Sequence, residues 1–115
     1  MATIKSYTNL SQSRKLAEIL PLESADMYYD GFGRLPQGYA YTLISPNSFE
    51  YDKPSWSLAA LLGILPKVIN NETLFIETSP ALWHIGYRNV YTARTDNPVD
   101  ACVDMIIKLH KLNLL

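Results

Sequence analysis

Few side chains in this sequence titrate or attack near neutral pH: His84, His110 and Cys102 are its entire stock of imidazole and thiol. His84 stands in ALWHIGY, where strand alternation sets Trp83, Ile85 and Tyr87 on one face and His84 with Arg88 on the other. A histidine there could serve as a general base only with an orienting carboxylate and a pocket. Asp26, Asp30 and Glu77 are the carboxylates to consider, and no spacing selects one of them. A solvated strand face accounts for His84 without any chemistry. His110 falls near the carboxyl end of the last expected helix, where capping and packing explain it. Cys102 lies on the apolar stripe of that helix beside Val103 and Ile106, where cysteine acts as a small hydrophobe. With no neighbouring cation and no second cysteine, it has the setting neither of a reactive thiolate nor of a disulfide.

The other chemistry-bearing patterns are equally plain. Asp26, Asp30, Glu50 and Asp52 lack the spacing of a calcium loop, and no HExxH or comparable ligand motif occurs, so no metal and no cofactor are expected. GFGRLPQG at 31–38 has closely spaced glycines but neither GxGxxG nor GxxxxGK[ST]. It leads into a strand, so no helix amino terminus is present to hold a phosphate. Eight tyrosines and two tryptophans remain. Tyr28, Tyr29, Tyr39, Tyr41, Tyr87 and Tyr91 fall on expected hairpins, and aromatics with a polar tip suit both cores and recognition surfaces. The candidate binding patch is therefore His84, Tyr87, Arg88 and Tyr91.

The elements that must position these residues follow from caps, breakers and periodicity. A first helix is expected over 9–20, capped by Asn9 or Ser11, with Gln12 completing a partial capping box and Pro21 ending it. Residues 26–30 and 39–44 read as a hairpin around the glycine-rich loop. KPSWSLAALLGILPK at 53–67 has no charge between its terminal lysines, and its helix is expected from about Pro54 to Leu65, stopped by Pro66. With Trp56 and six aliphatic positions, that helix should be central and largely buried, or paired with another chain. TLFIETS, ALWHIGY and VYTART read as three further strands. The last helix has Asp96 or Asn97 as cap, Pro98 in its first turn, an apolar stripe through Val99, Cys102, Val103 and Ile106, an Asp104–Lys108 pair and Asn113 at its end. LAEILP at 16–21 echoes LLGILP at 61–66, a short hint of two related halves. The order α-β-β-α-β-β-β-α specifies a single α+β domain over 1–115, with an antiparallel sheet of about four to five strands built from hairpins and packed with three helices.

Composition sets the outer bounds. At 115 residues, 48% hydrophobic and 18% charged, the chain can bury one modest core. A net charge of −1, with no Lys/Arg-rich block, lacks the footprint of a nucleic-acid binder. The charge-free runs 37–49 and 54–66 fall short of the roughly 20 residues that span a bilayer. The lone cysteine and an amino terminus without a secretory signal lead to an expectation of a cytoplasmic protein.

Taken together, SRKLAEILPLESADMYY, PSWSLAALLGILP and NPVDACVDMIIKLHKLNLL resemble a group of small α+β proteins, without assigned activity, encoded by gut bacteria and their phages or mobile elements. The resemblance covers most of the chain. It implies a compact α+β domain and brings no catalytic residue, ligand or cofactor. Two functional readings then stand. One is a non-enzymatic interaction or accessory domain that binds a protein partner or itself through an aromatic surface. The other is a small enzyme or ligand-binding protein with a pocket near His84.

Overall fold

The computed structural model describes residues 6–29, 37–38 and 53–115. The strand expected at 39–44, residues 31–36 of the glycine-rich loop, and Asp30, Tyr39, Tyr41, Glu50 and Asp52 lie outside these residues. The described residues form three α-helices and eight short strands in an α+β fold.

Helix α3 (Pro98–Lys111) organises the molecule. Asn97 caps it, its Oδ1 accepting from the Val99 N–H at 2.8 Å and the Asp100 N–H at 3.3 Å, and Pro98 takes the first position, where no amide is needed. At its far end Asn113 adopts a left-handed φ of 58°. The Leu114 N–H reaches the Leu109 carbonyl at 2.9 Å and the Asn113 N–H reaches the His110 carbonyl at 3.1 Å, the paired bonds of a Schellman stop. Between these caps Val99, Ala101, Cys102, Met105, Ile106 and Leu109 are all fully buried.

Their counterpart is a three-stranded antiparallel sheet, β6 (Phe75–Thr78), β7 (Trp83–Tyr87) and β8 (Tyr91–Thr95), with β7 in the middle. Ile85, Tyr87 and Ala93 turn from β7 and β8 into the core. Gly86 is required at its position. A Cβ there would lie 2.2 Å from the Tyr91 carbonyl oxygen and 2.8 Å from Met105 Cε.

The amino-terminal half shares this core, and Trp56 is buried in the same apolar cluster. Helix α1 (Leu10–Ala17) starts with a complete capping box between Asn9 and Gln12, and it ends earlier than expected, with Pro21 opening a 3₁₀ turn at Leu22–Ser24. Strands β1 (Met27–Tyr29), β2 (Gln37–Gly38) and β3 (Lys53–Ser55) pair in the order β2-β1-β3. Pro54 was expected to open a helix; it lies instead in β3, opposite Tyr28, a strand that is an edge among the described residues. An edge tolerates a residue with no N–H to donate. Helix α2 (Leu58–Ile64) begins only after Ser57, whose hydroxyl accepts from the Ala60 N–H at 3.2 Å.

Trp56 therefore precedes the helix it was expected to belong to. Its ring is fully buried, its Nε1–H donates to Ser24 Oγ at 3.0 Å, and its backbone exchanges bonds with Thr8. Helix α2 itself is one-sided rather than central: Leu61 is buried, Leu58, Leu62 and Ile64 are half-buried, and Ala59 and Gly63 face outward. The helix lacks a polar side because its open side carries small residues, which leave little apolar area wet.

A further hairpin links α2 to the large sheet. Strands β4 (Val68–Ile69) and β5 (Glu72–Thr73) are joined by Asn70 and Asn71, both at positive φ (51° and 68°), as a two-residue primed turn demands. The strands thus divide into three small antiparallel sheets among the described residues, a correction to the single sheet of four or five strands.

Trp56→Ala should lower the unfolding free energy by about 3–5 kcal/mol, since the ring is fully buried in the core. Denaturant unfolding checks this, and an unchanged midpoint would place the ring outside the core. Gly86→Ala should likewise destabilise the fold, through overlap with the Tyr91 backbone.

Candidate functional site

Strand alternation on the large sheet separates two faces. The inner face packs on α3; the outer face gathers Glu77, His84 and Arg94 from three adjacent strands, with His84 directly opposite both Glu77 and Arg94. Arg88, in the turn after β7, lies 4.0 Å from the Glu77 carboxylate and places its guanidinium 4.7 Å from the centroid of the Phe75 ring. The ion pair is well exposed on both sides, so it contributes little stability. Its value is positional, holding charge over an aromatic ring. His84 Nε2 lies 3.1 Å from Ser79 Oγ, in the turn between β6 and β7.

The four candidate binding residues do not form one patch. His84 and Arg88 belong to the outer face. Tyr87 is fully buried on the inner face, its hydroxyl donating to the Pro66 carbonyl, so it is a core residue and not a contact residue. Tyr91 pairs with Tyr87 across the β7–β8 hairpin and is half-buried, with Lys108 Nζ 5.3 Å from its ring centroid. Lys108 is directed to this ring, and among the described residues no ion pair joins it to Asp104.

The remaining candidates have structural occupations. Asp26, a conceivable partner for His84, is committed elsewhere: its carboxylate accepts from the Ser57 N–H at 2.9 Å and from the Ser57 hydroxyl. Cys102 is fully buried, and burial pushes its thiol up to about 12 from an ordinary 9.0. Burial, with Cys102 nearby, likewise pushes the Tyr87 phenol from 10.0 up to about 12. Neither is a nucleophile at neutral pH.

The open concavities lie on the helical side. A groove of about 500 Å³ runs between α1 and α3, lined by Gln12, Arg14, Lys15, Val103, Asp104 and Ile107. A smaller one of about 220 Å³ lies beside Tyr91, Lys108 and Lys111. Asp104, shared by both, has its carboxyl raised, first by partial burial and then by repulsion from Asp100. Neither groove includes His84. Among the described residues no three His, Cys, Asp or Glu side chains gather to hold a metal ion, and no helix is long and apolar enough to cross a membrane.

Apolar exposure marks another region. Val68 is 56% exposed on β4, Ile76 46% on β6 and Leu82 37% in the turn before β7. Sequence patterning placed Ile76 and Leu82 in strands and did not foresee their exposure; that of Ile76 follows from α3 packing on β7 and β8. Comparison with protein-family models, curated proteins and solved structures finds no match.

The raised Cys102 and Tyr87 acids generate an alkaline pH dependence. Between their ordinary values and about 12 the unfolded chain releases protons that the folded chain retains, so stability is full below about pH 9 and declines as pH rises toward 12. Thermal melts from pH 8 upward should therefore fall, and Cys102→Ala with Tyr87→Phe should flatten the slope even though both substitutions lower the starting stability. An unaltered slope would show that other groups control alkaline unfolding.

Proposed function

We propose that this chain is a non-enzymatic interaction domain that engages a protein partner along the β6 side of its large sheet. The observation that carries this reading is the 46% exposure of Ile76 on the outermost strand of the large sheet, with Leu82 also exposed in the turn that follows and Phe75 half-buried beside it. Leaving one large aliphatic side chain in water forgoes roughly 1.5–3 kcal/mol, and at an unpaired strand edge a partner strand recovers it. The outer face adds what specificity needs: Arg88 over the Phe75 ring and beside Glu77, with His84 and Arg94 following Glu77 across the neighbouring strands. This modifies the expected aromatic surface: Tyr87 is consumed by the core, and aliphatic residues take a larger share.

A second reading, a hydrolytic enzyme at His84, has one specific observation in its favour, the 3.1 Å contact between His84 Nε2 and Ser79 Oγ. A histidine so placed could take the serine proton. Three features count against it. Glu77, the carboxylate nearest in the sheet, is drawn to Arg88. The Ser79 and Leu82 N–H groups, which could stabilise an oxyanion, are bonded to each other's carbonyls. Ser79 also stands exposed, with no enclosure to exclude water.

Replacing Ile76 with a photo-crosslinking amino acid in producing cells should yield a discrete covalent adduct with a protein. A uniformly uncrosslinked chain would contradict the interaction reading. Purified protein should show no turnover of esterase, phosphatase or nuclease substrates, with or without divalent metal. Turnover abolished in folded Ser79→Ala and His84→Ala variants would establish the enzyme instead.

A further inference from the structure

Strand β6 is an open edge: the order β6-β7-β8 gives it β7 on one side and, among the described residues, no strand on the other. Natural edges are usually blunted by lysine, proline or a bulge. Phe75-Ile76-Glu77-Thr78 has no lysine or proline, and it pairs with β7 in unbroken register. Its burial pattern also departs from that of its neighbour. Ile76 lies opposite Ile85 on the α3 side of the sheet, yet Ile85 is fully buried while Ile76 is 46% exposed. Helix α3 packs on β7 and β8, so β6 projects beyond its cover.

Resting on the interaction reading above, we propose that the partner is a second copy of this chain, added antiparallel along β6 about a two-fold axis at Ile76 to make a continuous six-stranded sheet. The register follows from the side chains. With Ile76 opposite the partner's Ile76, the two exposed aliphatic side chains cover each other on the α3 side. On the outer face, Phe75 of each copy then lies opposite the partner's Glu77. Arg88 already stands 4.7 Å over Phe75, so it meets a carboxylate contributed by the other copy as well as its own Glu77. The alternatives are poorer. A one-residue slip would set Ile76 against Glu77 and turn the two α3 helices to opposite faces of the sheet. A two-residue shift one way would place Glu77 against Glu77, with like charges directly opposed; the other way would set Phe75 against Phe75, leave Ile76 opposite Leu74 and keep no other β6 residue within the pairing. Charge and apolar pattern thus agree on one self-complementary register, as an isologous contact requires.

Four residues per edge form a small interface, below the roughly 1,200 Å² of a stable complex, so association should be weak and dependent on concentration. Sedimentation equilibrium of the full chain should show the mass rising from 13.0 kDa toward twice that value as concentration increases from tens of micromolar to about 1 mM. Ile76→Lys, which sets two ammonium groups against each other on the axis, should remain at 13.0 kDa throughout with an unaltered circular-dichroism spectrum. Glu77→Arg should weaken association at least several-fold, and Glu77→Arg with Arg88→Glu should restore it, a rescue that loss of folding could not produce. A wild-type chain that stays monomeric over the whole range, or an Ile76→Lys chain that still dimerises, would overturn the pairing. If the wild-type chain is monomeric while the cellular adduct at position 76 is with a different protein, the second-copy assignment fails and the interaction reading survives. Absence of any adduct would remove both.

Discussion

The burial of α3 is the constraint on which the other contacts depend. One helix has to satisfy the sheet on one side and both remaining helices on the other, so it carries apolar residues around most of its circumference. Each fully buried Val, Ile, Leu or Met contributes roughly 1.5–3 kcal/mol relative to exposure, enough for this helix to dominate the apolar gain of a 115-residue chain. Its caps matter for the same reason. A helix buried on so many sides needs fixed ends, and Asn97 and Asn113 supply them from side chain and backbone. The limited reach of α3 also creates the exposed margin, because Ile76 is wet where the helix does not extend.

A polar seam carries the opposite obligation. Thr8, Ser13 and Ser55 are buried and bond to one another at 2.7 and 3.2 Å, and Thr8 also accepts from the Trp56 amide. Among the described residues no buried side-chain nitrogen or oxygen lacks a partner. Such groups cost free energy when unpaired and little when paired, so the seam fixes the position of residues 6–8 against 55–58 more than it adds stability. Asp26 is used in the same way, clamping Ser57 ahead of α2. Hydroxyl and carboxylate pairs that resemble chemistry here join residues 8–13 and 26 to residues 55–57 within the amino-terminal half.

Local signals of this kind were legible where one residue type has one physical role. Asn97-Pro98 announced the start of α3, Asn113 its end, and Asn9 with Gln12 the start of α1. β7 and β8 were legible from alternation, and so was the separation of His84 from Tyr87, which the pattern already placed on opposite faces. The start of α2 was misplaced because Pro54 suits both the first turn of a helix and an edge strand, and only the pairing of β3 with β1 decides between them. The Asn70-Asn71 turn carried a readable preference for positive φ, obscured by the absence of glycine. The exposure of Ile76 was not legible, since it arises from how far α3 reaches across the large sheet. Nor was the commitment of Asp26 to Ser57, a contact across 31 residues of chain.

One structural relation therefore links fold and function: a helix that covers two strands of a three-stranded sheet and leaves the third open at its edge. Backbone amide hydrogen exchange at low and high protein concentration tests that relation most directly. Amides of α3 and β7 should exchange slowest and equally at both concentrations, because they open only with the whole fold. Those amides of β6 that point away from β7 should exchange quickly in dilute solution and slow as concentration rises. Fast exchange in α3, or β6 protection that is independent of concentration, would contradict the account.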